Sequence, residues 1–399
     1  IDVDGDPLGI SAVGDPANCS VSLDEFGRVV FIPDQDFQGV ATFGYTVDDG
    51  AGGLAFGSVT VNVGFSFRIV ANNKSTSILQ WDGLTREFLG VLVARPKDTI
   101  NPHSVTMGPD GQLYVGWTGN SRAPASVRKH DAITGEPLGI FSTFEMESDD
   151  TGEALTTLAF ARNGQLLVMD NKGLDPDHKM FRFQGLDEPN PGAFVDEFIT
   201  NDEYQFGSFK VGDIDFDSQG NLLLPSAAKH EIVLFEGPEI GGGKSRILDM
   251  FVSAFCYQDR DDGIFRRIPG CYSNPDETGF NSSTMTEGYG LGWGPDGNLY
   301  VSARDAPEKY GRIMTFSADG KFLGNFVSTA EYSAITTSQP RDLDFGPDGN
   351  LYVTNNKYNG VLIFGGPTGP NAGQHIGTLT APDGVKFTGS TSIEFIVDD

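Results

Sequence analysis

"MGPDGQLYVGWTGN", Met107 to Asn120, begins with a tight-turn tetrapeptide and runs into a short alternation of apolar residues, the pattern of a β-hairpin. The unit returns as "GPDGNLYVSARD" from Gly294 and "GPDGNLYVTNNK" from Gly346, with looser copies "ARNGQLLVMDNK" from Ala161 and "DSQGNLLLPSAA" from Asp217. Pro-Asp-Gly supplies the preset φ, the side-chain acceptor and the positive-φ position that a tight turn needs. The turn glycines Gly111, Gly164, Gly220, Gly297 and Gly349 are spaced 53, 56, 77 and 52 residues apart. That period is too long for one hairpin and suits a four-stranded unit.

The other strands are legible around each turn. Upstream lie "SVTM" (104–107), "TLAF" (157–160), "DIDF" (213–216), "GLGW" (290–293) and "DLDF" (342–345), each apolar at its second and fourth positions. This is the period of two that marks a strand. Downstream come the "LYV" strand, a third strand ("SVRKH" 126–130, "KMFRF" 179–183, "EIVLF" 231–235, "RIMTF" 312–316, "GVLIF" 360–364) and a fourth, clearest in "EPLGIF" (136–141) and "KFLGNFV" (321–327). Five complete four-stranded sheets follow. A sixth is split: "RIVANNKSTSILQWDGLTREFLGVLV" after Phe67 holds its outer three strands, and "SIEF" (392–395) at the far end has the pattern of the missing innermost one. The sequence therefore predicts an all-β protein with a six-bladed β-propeller over 65–399, closed by its C-terminal strand so that no blade is left with unpaired edges.

The "GPDGNLYV" units are similar to those of NHL-type propellers and of the related gluconolactonase and strictosidine-synthase-like six-bladed proteins. The resemblance implies the fold and leaves the activity open.

Residues 1–64 lack the blade pattern. They alternate in short runs with turns at Phe26-Gly27, Pro33-Asp34 and Gly50 to Gly53, and predict a small β-sandwich. Gly27, Pro33, Phe37, Gly39, Phe43, Tyr45 and Asp48 fall where the segment resembles cadherin-like, immunoglobulin-like modules of bacterial surface proteins. Such modules usually have further strands before the "DVDGDPL" segment. Those strands are expected either from an upstream piece of the same polypeptide or from a neighbouring subunit by strand addition. The opening "IDVDGDPLGI" reads as a cut mature chain or as part of a longer one.

Composition narrows the partners. Lys and Arg total 27 against 55 Asp and Glu, a formal charge of -28, which repels phosphate backbones and anionic lipid; nucleic acid is not an expected partner. No run of about 18 apolar residues occurs, so no membrane insertion by a helix is expected. Of three cysteines, Cys256 and Cys271 bracket the polar segment "CYQDRDDGIFRRIPGC", read as a loop, where they either form a short-loop disulfide or remain thiols; Cys19 reads as a small core residue. Asn18, Asn73 and Asn281 begin glycosylation sequons, which lean toward an exported, extracellular or cell-surface protein.

Candidate chemistry sits on the innermost strands. The positions alternating with their apolar pairs read Ser104, Thr157, Asp213, Gly290, Asp342 and Ser392, then Thr106, Ala159, Asp215, Gly292, Asp344 and Glu394. Five carboxylates thus face the axis or the adjoining seams. They read either as a site for a hard cation, Ca²⁺ first, because only oxygen ligands are on offer, or as a wet polar channel whose acids bond amides and water. His103, Tyr289 and Arg341 form a rim one position further up, able to bind an anion or serving as ordinary rim residues. A second cation candidate is "DVDGDP", with Asp2, Asp4 and Asp6 in alternation and Asp48 near the other end of the module; its order is not that of an EF-hand. The cadherin-like resemblance implies Ca²⁺ stiffening of such joints.

The leading expectation is an extracellular structural or interaction protein, such as a subunit of a surface layer, sheath or fibre, whose partners are other protein subunits or surface modules. The alternative is a metal-dependent hydrolase or lactonase at the channel mouth: Glu394, Asn171 and Asp213 are the residue types of the gluconolactonase-like Glu/Asn/Asp set, without a residue-by-residue match. Carbohydrate binding would rest on aromatic rims such as Trp117 and Tyr289. His103 alone cannot furnish the several His ligands of the lyase members, and no phosphate loop, nucleophile elbow or HExxH occurs.

Overall fold

A computed structural model describes residues 8–24, 26–34, 37, 39–63, 66–73, 76–119, 124–144, 154–171, 179–200, 213–226, 231–238, 243–253, 255–259, 265–272, 287–304, 311–355, 358–385 and 387–398. Six four-stranded antiparallel sheets follow one another along the chain. Blade 2 (Pro102–Met107, Leu113–Trp117, Ala125–His130, Pro137–Phe144) is typical: each strand pairs with the next, from the innermost outward. Blades 3 to 6 repeat this order from Ala154–Phe160, Asp215–Phe216, Glu287–Trp293 and Pro340–Phe345 respectively.

Blade 1 is assembled from both ends. Ile393–Asp398 pairs antiparallel with Ser66–Asn73, with Ile393 opposite Ala71 and Asp398 opposite Ser66, and Ser77–Asp82 and Phe88–Ala94 complete the sheet. Asn72, fully buried, clasps the junction. Its Oδ1 accepts from the backbone of Thr391 (2.8 Å) and Ser392 (2.9 Å) and from the Ser390 hydroxyl (2.9 Å). Its Nδ2 donates to the Thr391 hydroxyl and to the Pro102 and His103 carbonyls of blade 2. One side chain thereby ties together three segments distant in sequence.

Among the described residues no single central core exists. The buried apolar residues divide into six clusters, each shared by two adjacent blades, including blade 6 with blade 1 through Tyr352, Ile363, Ile69, Trp81 and Ile393. The ring closes because an open end would expose one such cluster to water, at about 25 cal/mol per Å². The repeated "LYV" tyrosine is part of this seam. Tyr114, Tyr300 and Tyr352 lie edge-on to Phe160, Phe345 and Phe395 of the following blade, with centroids 4.8, 4.8 and 5.2 Å apart. Their hydroxyls donate back to Asp110, Asp296 and Asp348 of the turn. The turn glycine adopts the expected positive φ, 70° at Gly111 and 74° at Gly349.

A second seam contact had no visible signal in the repeat. In the turn between third and fourth strands, Gly135 and Gly192 pack so closely on the Leu92 and Phe141 carbonyls of the preceding blade that a Cβ would lie within 1.9 and 1.8 Å of the oxygen. In blade 1 Arg86 reaches instead, donating to the Ile376 carbonyl of blade 6 at 3.0 Å.

Three departures from the sequence reading stand out. The stretch around Cys256 and Cys271 is not all loop: Phe255–Asp259 and Phe265–Tyr272 form an antiparallel hairpin. Its aromatic and β-branched residues favour extended backbone. The disulfide lies outside the described side chains. A short helix, Thr329–Ile335, joins blades 5 and 6, started by a capping box between Ser328 and Glu331. In blade 4 the innermost strand is confined to Asp215–Phe216, shorter than "DIDF".

The leading module has one sheet of Gly9–Ala17, Gly39–Asp48 and Leu54–Val63, with Gly39–Asp48 central, and a separate hairpin, Cys19–Leu23 with Val29–Pro33. Its interior is small: Ala41, Phe43 and Cys19 are buried, and Phe31 packs on Phe43 at 6.1 Å. Cys19 is unbridged, as a core residue should be, and its thiol faces the Thr42 carbonyl. Ile32, Leu54 and Phe56 are exposed.

Candidate functional site: the acidic channel

The innermost strand of each blade is a sheet edge, and half of its backbone N–H groups point away from the ladder. Buried N–H groups need acceptors. The channel carboxylates are those acceptors, and Asp213, Asp215, Asp342 and Glu394 reach across a seam to another blade. Asp213 Oδ1 accepts from the next residue, Ile214 (2.8 Å), and Oδ2 from Leu291 of blade 5 (3.3 Å). Asp215 accepts from Phe216 (2.7 Å) and from the backbone of Trp293. Asp342 Oδ2 accepts from Ile393 of the closing strand (2.9 Å). Glu394 accepts from Phe395 (2.9 Å) and from Met107 of blade 2 (2.8 Å). Asp344 accepts from Phe345 (2.7 Å). Ser392 performs the same task with a hydroxyl, bonding both the N–H and the carbonyl of Val105.

Packing five acids into this ring raises their proton affinity. Burial pushes Asp213 up to about 6 and Asp215 up to about 8, the latter helped by the neighbouring Asp213 charge. Asp342 and Asp344 lie well above the usual carboxylate range, first by burial, then through the charges of Asp213 on Asp342 and of Glu394 and Asp215 on Asp344. Glu394 is raised by burial as well. Asp213 and Asp342 hydrogen-bond to each other, so the pair holds a proton, with Asp342 the donor and the backbone-bonded Asp213 the acceptor. They belong to blades 4 and 6; the blade between carries Gly290 and Gly292 at the matching positions, so no side chain of that blade intervenes. Gly290 is also required by packing, since a Cβ there would meet the Arg341 carbonyl at 2.4 Å.

Each of the five carboxylates has at least one oxygen bonded to a backbone N–H, and among the described residues no group of three or more His, Cys, Asp or Glu side chains converges on one point.

The rim residues separate into two places. Arg341 lies over the Tyr289 ring at 4.1 Å, a cation–π contact that covers one face of each group. The His103 carbonyl accepts from Thr391 and Asn72 on the closing-strand side. Trp117 is no rim aromatic at all: it is fully buried in the seam between blades 1 and 2, so it offers no sugar platform. Its strand position, inside the ladder, decides that.

Elsewhere, Asp48 accepts from Gly50 N–H (2.7 Å), closing the turn of its own hairpin. Asp2, Asp4, Asp6 and Asn281 lie outside the described residues, as does the side chain of Asn171. Asn73 is 1% exposed, with its amide engaged by Thr388 and Thr76. Asn18 is exposed, though its Nδ2 donates to the Val40 carbonyl. Sequence reasoning found all five channel acids; what it missed was their use across the seams and the clasp at Asn72, although the shared "VANN" and "VTNN" stretches carried that asparagine.

Residues 1–62 match the family model described as a bacterial Ig domain. Among solved structures the chain is similar to a protein of unknown function from Bacteroides caccae, at 13% identity and a TM-score of 0.51, covering 83% of this chain and 99% of that one. It is similar also to a protein from Lactobacillus plantarum, at 14% identity and a TM-score of 0.50, with the same coverages. Comparison with curated proteins finds no match. At such identities the likeness concerns fold, and function has to be argued from the site. The chain thus combines a β-propeller with an Ig-type module at its leading end.

Proposed function

We propose that the chain is an exported, surface-displayed structural or interaction protein, with an NHL-type propeller as a rigid body carried behind the Ig-type module. The observation that supports it most is the commitment of the channel acids to neighbouring strands: the place where a propeller hydrolase would hold its ion is used here to lock blades together. The Ig-type match at residues 1–62 favours display at a cell surface. The exposed Ile32, Leu54 and Phe56 of that module favour contact with a further β module or subunit through its sheet. Ca²⁺ enters this reading only at the Asp2, Asp4 and Asp6 end, on sequence grounds. No helix of the described residues is long and apolar enough to cross a membrane.

The test is protease shaving of intact producing cells, followed by assay of the purified chain against lactones and esters with Ca²⁺, Mg²⁺ or Zn²⁺. Release of propeller peptides from intact cells and no metal-dependent turnover are expected. Protection from external protease, or hydrolysis abolished by Asp213→Asn, would refute the proposal in favour of the metal-dependent hydrolase.

A further inference from the structure

The sequence contains two Asn-Gly pairs, Asn163-Gly164 and Asn359-Gly360, and the fold treats them oppositely. Asparagine followed by glycine is the pair most open to cyclic-imide chemistry, because no Cβ on the second residue hinders its backbone nitrogen from reaching the side-chain amide carbon. Asn163 sits in the turn between the first and second strands of blade 3, and that turn holds each group the reaction needs. Gly164 N–H donates to the Ala161 carbonyl at 2.8 Å. Asn163 Oδ1 accepts from Gln165 N–H at 3.0 Å, and its Nδ2 donates to Gln165 Oε1 at 3.1 Å.

Asn359 lies on a different connection, between Leu351–Asn355 and Val361–Phe364, the second and third strands of blade 6. It is exposed, and among the described residues neither its side-chain amide nor Gly360 N–H makes a hydrogen bond. The ladder to the fourth strand begins only at Val361, opposite Leu379. Gly360 is nevertheless fixed by packing: a Cβ there would lie 2.6 Å from the Thr378 methyl and 2.8 Å from the Leu379 carbonyl. A side chain at 360 is therefore excluded, and nothing on that residue shields the neighbouring amide.

We propose that Asn359 is a modification site, converted by water to aspartate and isoaspartate through a cyclic imide with Gly360, while its turn preserves Asn163. The Gly360 nitrogen gives its proton to hydroxide and attacks Asn359 Cγ; the new C–N bond closes a five-membered ring and ammonia leaves. Water then opens the ring, so that overall water enters and ammonia departs. Breaking the bond to Cγ restores an aspartyl backbone. Breaking the bond to the main-chain carbonyl carbon routes the backbone through the side chain, an isoaspartyl link one methylene longer. That link adjoins Tyr358, which packs on the apolar cluster shared by blades 5 and 6, and either product adds a carboxylate to a chain already at -28.

Incubation of the whole chain in mildly alkaline H₂¹⁸O, then tryptic digestion in unlabelled water and mass spectrometry, tests it; cleavage after Arg162 and Lys357 puts the two pairs on separate peptides. The peptide that starts at Tyr358 should show the amide-to-acid mass change with ¹⁸O incorporated, and part of it should become a substrate for an isoaspartyl methyltransferase. Asn163 should convert about tenfold more slowly, because its turn has to open first, and urea should close that gap. Asn359→Gln should remove the change from its peptide without lowering Tm. Equal rates for the two pairs in the folded chain, a gap that persists in urea, no conversion at Asn359, or a change placed at Asn371 of the same peptide would overturn the proposal.

Discussion

Replacing Asp215 by Asn should reverse its effect on stability as pH changes. Asp215 titrates near 3.8 when unfolded and is pushed up to about 8 in the channel. The folded state therefore holds its proton more tightly, so the stabilisation is fully present below the unfolded value and is lost as pH rises through the folded one. Between those limits the native chain binds more protons than the unfolded chain, and stability falls with rising pH. The full difference corresponds to on the order of 5 kcal/mol, and an effective dielectric well above that of a dry interior brings the expected loss to about 3 kcal/mol. Asn cannot ionise. It keeps one acceptor for Phe216 or Trp293 and loses the other, at a cost of about 1 kcal/mol where Asp215 is protonated. Urea unfolding followed by tryptophan fluorescence, from about pH 5 to about pH 9, should show the variant slightly less stable at the acid end and more stable at the alkaline end, with a flatter profile between. The half-buried turn acids whose proton affinity is lowered, such as Asp82 and Asp131, act in the opposite sense and only below their ordinary range. Parallel profiles for the two proteins, or a variant less stable at every pH, would refute the account of Asp215 as a buried acid held mainly in its neutral form.

Two further outcomes concern closure. Deleting residues 391–399 removes the inner strand of blade 1 and, with it, Ile393 and Ile396 from two seams, so the near-ultraviolet circular dichroism of the propeller should be lost cooperatively; unchanged melting would contradict the closure. Asn72→Ala leaves the backbone N–H groups of Thr391 and Ser392 without their buried acceptor and should destabilise by about 3–5 kcal/mol in urea unfolding, whereas a loss below about 0.5 kcal/mol would mark the clasp as incidental.

Hairpins, blade count and the split sixth sheet were written in the sequence because each depends on local rules: Pro-Asp-Gly turns, period-two alternation, and a recurring spacing. The identity of the axis-facing acids was legible for the same reason, since alternation alone assigns Asp213, Asp215, Asp342, Asp344 and Glu394 to one face. What those acids bond is not local. Leu291 lies 78 residues from Asp213, and Met107 lies 287 from Glu394; only the closed ring makes them neighbours. The same holds for Trp117, an aromatic that its strand buries, and for Asn73, buried and bonded to Thr388 across the closing seam. His130 shows the limit most clearly: the sequence displays a histidine at the end of "SVRKH", and only tertiary packing buries it, with its Nδ1 3.1 Å from the Gly135 carbonyl.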